Sequence, residues 1–576
     1  MKILRVKLPD NLKEPFRSLH PGFEIFFYPN LNNKTIEPIG LAGLNGCGKS
    51  NLLELLSEIY YYLDSLQLEF PTTAVIEDKG FGFEIDYALP LTFDRSFITL
   101  DSEAGFAVDE NYFVVRVIKA VDGSPSYSIT SIKHYLNERE TKKEKENKEA
   151  IANSKPPVWV SVKADDKNIS SLLPKKIFAY TSGHNEQLSN CYYKMQFHYF
   201  NDYKNRLKQG YSFFTDSSRL FFSDNNSNAS IFVSNYLLAN SEALTELNDV
   251  VKTKDIHSFR ITIRYEDLSG KNSKEVKFNQ ELERKIKLLK NCSTSCLEKG
   301  TGAKRVLTID YLVTPATKKA FALAFGSTPF ELYKTFYELE MQNFHTVSED
   351  VLEMATNGPK WLNISDELPK QDPNKLVFRL ERIFITKHGV DKPIKYKGLS
   401  DGEHQFLQII GMILMVEENG CLFLLDEPDT HYNPLWRSRL VSTINKIIKY
   451  KTTTNEEKQR MQEIMITTHS PFVLSDLKKQ NVYIFKKPHN KIQFNSCHFE
   501  TYGASASIIL DEVFGKEDSI SEMARDELKA MIENITTMDQ LRSAVNRLNS
   551  QFGESVEKFD LFSKLRNIKE QLENKK

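Results

Sequence analysis

Apolar and polar positions follow two rhythms along this chain. Met1-Lys-Ile-Leu-Arg-Val and Tyr112-Phe-Val-Val-Arg-Val-Ile alternate with period two, which predicts strands. The runs Phe81 to Leu100 and Asn111 to Tyr135 keep that rhythm and predict a small antiparallel lobe. Thr35 to Ala42 is a short strand-like run, whereas Leu52, Leu53, Leu56, Ile59 and Tyr60 recur at helical spacing from Asn51 to Leu66. Near 421–427 four apolar residues lead into Asp426-Glu427, so a buried strand ends in two acids. A β-branched strand beginning at Ile464 ends in His469 and is broken by Ser-Pro. Residues near 190 to 375 read as mostly helical, with aromatic clusters at Tyr192 to Phe200 and Tyr211 to Phe222. Heptads are not sustained there, so a compact helical lid is expected and a coiled-coil arm is not. Beyond Phe499, an amphipathic helix carries Ile508, Ile509, Val513 and Phe514. Asp539 to Lys576 continues helically with Leu541, Val545, Leu548, Phe559, Phe562, Leu565 and Ile568. Those apolar faces need to pack on the rest of this chain or on another chain.

The chain has 576 residues, too many for one core, and its formal net charge is -1. Nothing global therefore demands nucleic acid or an anionic membrane. No run of eighteen apolar residues occurs, so no membrane span is expected. The start does not read as a signal peptide, and six scattered cysteines suit reduced thiols in a cytoplasm. Cys292 and Cys296 are close, but no second pair follows at zinc spacing. Glu138 to Lys155 is densely mixed in charge and reads as a solvated loop or short exposed helix. Arg284 to Arg305 is rich in Lys and Arg, with Glu298 its only acid; an ordinary solvated face is favoured there over a phosphate-binding one.

Chemistry concentrates in four stretches. Gly43-Leu-Asn-Gly-Cys-Gly-Lys-Ser50 fits G-x-x-x-x-G-K-[ST] and lies between a predicted strand and a predicted helix, the context this loop requires. Gly43, Gly46 and Gly48 let the backbone turn its N–H groups inward, so that they and the helix N-terminus hold phosphate oxygens. Asn45, Cys47 and Asn51 complete the cradle. Lys49 would place a charge on the β- and γ-phosphates, and Ser50 a hydroxyl on Mg²⁺. Asp426 would hold Mg²⁺ and Glu427 polarise the attacking water as general base. Adjacent strand residues point to opposite faces, so the strand must end there for both to reach one cleft. In Leu399-Ser-Asp-Gly-Glu403, Ser400 is a natural N-cap with Glu403 three residues on. Besides capping the helix, that terminus could grip a γ-phosphate, Gly402 permitting close approach. His469 would contact the γ-phosphate and the attacking water.

In order and spacing these stretches resemble the ATP-binding-cassette ATPases: Walker A, an LSGGQ-type signature, Walker B with its glutamate, and the switch histidine. Roughly 350 residues separate Ser50 from Ser400, which resembles the SMC, RecF and OLD-type branch rather than a transporter. The resemblance implies an α/β fold: an ABC-ATPase head with a P-loop parallel-sheet core and an antiparallel β lobe, split by a mainly helical insertion and followed by a helical C-terminal tail. The expected divisions are 1–185 and 376–505 for the two halves of the head, 186–375 for the insertion and 506–576 for a partner- or oligomer-contact region. It implies ATP and Mg²⁺ as ligands, with Arg17 near the phosphates. Lys175 to Asn190 resembles the Q-loop in position, with Gln187 the available glutamine for Mg²⁺; Tyr180 and His184 are alternatives near the site, as is a plain exposed loop. Asn433 departs from the family's usual loop after Walker B. The branch also implies a head-to-tail homodimer or higher oligomer, each nucleotide lying between Lys49 of one copy and Ser400 of the next.

Thr501-Tyr-Gly-Ala-Ser-Ala-Ser-Ile-Ile-Leu-Asp-Glu-Val-Phe514 resembles the segment after the switch strand in the Septu-type anti-phage defence ATPases, called PtuA. That resemblance implies an HNH endonuclease partner, PtuB-like, and in some systems a retron reverse transcriptase with its DNA–RNA product, nucleic acid being met through the complex. No Toprim-like acidic constellation follows His469, so the chain is expected to control a nuclease rather than to be one. A RecF-like repair ATPase clamping DNA directly, and a nucleotide-locked scaffold with little turnover, stand as alternatives.

Overall fold

The computed structural model describes residues 1–28, 37–71, 80–90, 112–146, 159–162, 169–183, 186–214, 217–269, 274–357, 363–364, 372–451, 457–516, 520–533 and 535–573. At its centre lies a seven-stranded sheet made of β1 (Ile39–Gly43), β2 (Ile177–Thr181), β3 (Leu220–Phe222), β4 (Leu422–Asp426), β5 (Glu463–Thr468), β6 (Val482–Lys486) and β7 (Gln493–Ser496). The order is β7-β6-β1-β5-β4-β2-β3, parallel throughout except for the hairpin β6–β7. All five residues of β4 are buried, because both faces of the sheet are covered. Side-chain alternation divides the core accordingly. Leu422 and Leu424 join one apolar cluster with helix α1 (Lys49–Ser65), while Phe423 and Leu425 join another with helix α2 (Asp401–Met415).

The expected antiparallel lobe is present. Strands Lys2–Lys7, Glu24–Phe26, Phe83–Pro90, Tyr112–Lys119, Ser126–Ser131 and Val160–Val162 form one six-stranded sheet on the α1 side. The insertion carries its helices, among them Glu186–Lys208, Asn225–Leu238 and Pro329–Met341, and also a feature the apolar rhythm did not predict. Thr253–Arg264, Ser295–Lys299 and Val306–Leu312 join Phe378–Lys387 and Ile394–Lys395 in a five-stranded antiparallel sheet packed into the α2-side core. β3, the outer strand of the central sheet, also comes from inside the insertion.

The basic stretch 284–305 falls on the helix Gln280–Asn291 and the hairpin after it. Lys285 is buried against Glu338, Arg284 pairs with Glu281, and Arg305 lies 3.6 Å over the Tyr265 ring beside Glu275 and Glu298. Ala506–Phe514 forms the amphipathic helix expected beyond Phe499; it buries Ile509 and Val513 in the head core. The three helices after it gather Leu528, Leu548, Leu561 and Leu565 into a separate small core. Among the described residues, no helix is long and apolar enough to cross a membrane.

Candidate active site

Three of the four chemical stretches, the glycine loop, Asp426-Glu427 and His469, meet at the carboxyl ends of β1, β4 and β5, where an open parallel sheet offers its crevice, while the Ser400 end of α2 is exposed apart from them. Each is placed by register. Asp426 lies opposite Thr467 on β5 and Thr181 on β2, and Thr468 opposite Ala42 on β1.

The loop from Gly43 to Gly48 has φ of 142° at Gly43, 73° at Gly46 and 94° at Gly48. A Cβ at Gly43 would sit 2.3 Å from the Phe485 carbonyl oxygen, so β1 and β6 pair this closely only with glycine there. Leu44, Asn45 and Gly46 are exposed; Cys47, Gly48 and Lys49 are buried. Lys49 Nζ donates to the Gly43 and Leu44 carbonyls at 3.0 and 3.1 Å and lies 3.1 Å from His469 Nε2. Burial lowers the pKa of its ammonium, against the opposing pull of Cys47, Glu427 and Asp426.

Ser50 Oγ donates to Asp426 Oδ1 at 2.8 Å. The same carboxylate accepts from Thr467 Oγ1 at 2.7 Å and from Thr181 Oγ1 at 3.4 Å. A hydroxyl and a carboxylate oxygen brought together in this way form the hard donor set that Mg²⁺ takes beside a phosphate. Thr467 and Thr181 are additions to the expected set, detectable only once the strands are in register.

The geometry at Glu427 answers how two adjacent acids serve one cleft. Its φ is 49°, left-handed for a residue with a Cβ. That turn, held by a bond from Glu427 N–H to Thr467 Oγ1 at 3.0 Å, ends the strand and carries the carboxylate to 3.3 Å from His469 Nε2. Left-handed backbone costs about 1–2 kcal/mol at such a residue, a cost the surroundings must offset. The bond with His469 holds the Glu427 carboxyl below its usual range, with burial opposing and the Lys49 charge assisting. One ring nitrogen cannot accept from the Lys49 ammonium and donate to Glu427 together, so the proton on His469 decides which neighbour it holds.

Ser400 caps α2 as a full capping box: Glu403 N–H donates to Ser400 Oγ at 3.4 Å, and Ser400 N–H to Glu403 Oε2 at 2.8 Å. Glu403 is also paired with Lys387. Ser400 is exposed and Leu399 buried. The close approach expected at Gly402 is to the chain itself, since a Cβ there would meet the His431 carbonyl oxygen at 2.8 Å. Asn433 caps the short helix Pro434–Arg437 through Trp436 N–H at 2.9 Å.

Two further expected residues are described by other contacts. Arg17 donates to Glu54 on α1 at 2.8 Å, while its neighbour Ser18 bonds Asn51 beside the loop. Gln187 is exposed in the first turn of Glu186–Lys208. From that region Thr181 reaches Asp426, and Tyr180 is buried beneath the site. His184 lies outside the described residues.

Residues 322–475 match the protein-family model described as "AAA domain, putative AbiEii toxin, Type IV TA system". The match takes in α2, the acid-tipped β4 and β5, but not the phosphate loop. The chain thus carries an AAA-type ATPase domain. No curated protein matches. Among solved structures, the SMC head domain from Thermotoga maritima aligns at 10% identity over 87% of this chain and 100% of that one, TM-score 0.31. The SMC head bound to the C-winged helix domain of ScpA aligns at 13% identity over 86% and 98%, TM-score 0.29. The recombination mediator RecF-ATPrS aligns at 11% over 85% and 97%, TM-score 0.25. Similarity at this level adds nothing to the sheet order and distances given above.

Proposed function

We propose that this chain is the ATP-binding and ATP-hydrolysing regulatory subunit of an anti-phage defence system of the Septu PtuA kind, dimerising through composite ATP sites and controlling a separate HNH-type nuclease. The observation that carries the ATPase reading is the convergence of Lys49, Ser50, Asp426, Glu427 and His469 at the ends of three adjacent parallel strands. Lys49 and the loop N–H groups hold the triphosphate. Ser50 and Asp426 would hold Mg²⁺, which when bound neutralises charge on the phosphate oxygens. Glu427 orients and polarises the attacking water, with His469 beside it. The exposed Ser400 end of α2 is offered to the nucleotide of a neighbouring copy, so ATP joins two heads and its hydrolysis loosens them.

The defence reading draws on the segment after the switch strand and on the matching family, whose description names a toxin–antitoxin system. In that segment Thr501 Oγ1 donates to the Leu477 carbonyl, Gly503 N–H to the Ser475 carbonyl, and Ser505 caps the helix Ala506–Phe514. Each conspicuous residue has a task in tying that helix to the switch region. Direct clamping of DNA has less support, because the basic residues of 284–305 named above are engaged with acids or an aromatic ring.

The test is Glu427→Gln in the full chain, followed by size-exclusion chromatography with and without ATP and Mg²⁺. Loss of turnover with accumulation of an ATP-dependent dimer supports the reading; unchanged turnover, or a monomer under all conditions, defeats it. Pull-down of a co-expressed neighbouring HNH protein tests the partner separately.

A further inference from the structure

Gln405 lies one turn into α2 and is only 3% exposed. Its amide joins two elements that α2 otherwise only packs beside. Nε2 donates to Tyr180 OH at 3.0 Å, and Oε1 accepts from His431 N–H at 3.1 Å. Tyr180 lies on β2 opposite Leu425, one residue before the Thr181–Asp426 pair. His431 lies in the loop that leaves Glu427, and its carbonyl is the group against which Gly402 packs. The His431 N–H is therefore bonded to α2 through Gln405, and its carbonyl lies close against Gly402.

The rest of that loop is tied back to the acid. Thr430 Oγ1 donates to the Glu427 carbonyl at 2.8 Å and lies 2.8 Å from Ser182 Oγ at the end of β2. Arg437 donates to the carbonyls of Asp429 and Thr430 at 3.2 Å each. A continuous set of bonds thus runs from Glu427 through residues 429–431 to Gln405, one turn beyond Ser400. Glu427 faces His469, which also lies beside Lys49 of the same copy, whereas Ser400 is exposed.

We propose that Gln405 is a positioning residue for hydrolysis: it locks the loop after Glu427 to the Ser400-capped helix, so the general base of one site and the closing helix of the neighbouring site keep a fixed relation. The inference rests on the reading of the chain as an ATPase with composite sites. A satisfied buried glutamine with only a packing role would cost stability when removed, but would not separate turnover from binding.

The experiment compares Gln405→Leu, Gln405→Glu and Tyr180→Phe in the full chain, measuring ATP turnover, nucleotide affinity by fluorescence titration, and denaturation midpoint. Misplacing the base without touching the phosphate loop lowers kcat of Gln405→Leu by about tenfold or more while ATP affinity stays within about twofold. Gln405→Glu keeps acceptors for His431 N–H and for the Tyr180 hydroxyl, which can turn to donate, and recovers most of the rate. Tyr180→Phe removes one oxygen, lowers kcat in the same direction, and adds little to Gln405→Leu, as partners in one network do. Should Gln405→Leu fold poorly, Tyr180→Phe carries the comparison alone. Wild-type kcat in Gln405→Leu or Tyr180→Phe, or Gln405→Glu as slow as Gln405→Leu, overturns the assignment. An inactive wild type with the same samples overturns the ATPase reading instead.

Discussion

Thr467→Val isolates the device that brings two neighbouring acids to one cleft. Thr467 is fully buried, and its hydroxyl donates to Asp426 Oδ1 at 2.7 Å while accepting from Glu427 N–H at 3.0 Å. Valine keeps the shape and removes both bonds. Loss of a bond to a charged acceptor costs about 1.5–3 kcal/mol, and a buried N–H left without its acceptor about 1–3 kcal/mol. The two share one site, so a combined stability loss of about 3 kcal/mol is expected. The kinetic effect is more specific. The left-handed φ of 49° at Glu427 is held partly by this bond. Released toward extended backbone, the side chain swings to the opposite face of the strand and away from His469. Steady-state ATPase assays should show kcat down by about 10- to 100-fold, with ATP affinity changed far less because the loop around Lys49 is untouched. Thr467→Ser, which keeps the hydroxyl, should restore most of the rate. If Thr467→Val raises KM and leaves kcat alone, or matches wild type in both, the turn at Glu427 does not depend on this hydroxyl and the reasoning fails.

Gly43→Ala should weaken both folding and nucleotide binding. Its Cβ would meet the Phe485 carbonyl at 2.3 Å on a backbone with φ 142°, and chemical denaturation should register a loss of about 2 kcal/mol or more. Lys285→Met leaves the Glu338 carboxylate buried beside a methyl, a loss of about 3–5 kcal/mol. Lys285→Met with Glu338→Leu should be less destabilised than the single change, read from the same denaturation curves. Glu463 is fully buried, its carboxyl raised from 4.5 to about 7 by burial, with the Tyr28 hydroxyl, the amino terminus and Lys2 opposing. Glu463 therefore contributes a fall in stability as pH rises from about 4.5 to about 7, of at most about 3 kcal/mol, set against the neighbouring Met1 amino group, which burial lowers from 8.0 to about 5 and which contributes a rise above that pH. Glu463→Gln should remove that fall in denaturation midpoints measured across the interval.

The residues gathered at the candidate site were legible because each motif is local. A glycine loop between a strand and a helix, an apolar run ending in Asp426-Glu427, and a serine with a glutamate three residues on all carry their meaning within a few neighbours. Thr467, Thr181 and Gln405 were not legible. Their partners are supplied sideways by strand register and helix packing, which no short window contains. The five-stranded sheet of the insertion escaped for a different reason. Thr253–Arg264 shifts register against Phe378–Lys387 at three places, and each irregularity interrupts the period-two signal. Ser295–Lys299 is exposed at every residue, so it has no apolar face to alternate. β3, three residues long, is too short to show any rhythm.

The central sheet also bears on how the protein comes into being. β1, which feeds the phosphate loop, is flanked on both sides by strands from the far end of the chain, and 420 residues separate Lys49 from the His469 it meets. During synthesis both hydrogen-bonding edges of β1 must wait until β5 and β6 have emerged, through closure of a very long loop. The nascent amino-terminal half thus holds an open, apolar strand for most of translation, a state prone to wrong pairing and suited to capture by a chaperone. An incompletely translated chain could form the phosphate loop's sequence but not its walls, which arise only once β5 and β6 have been made.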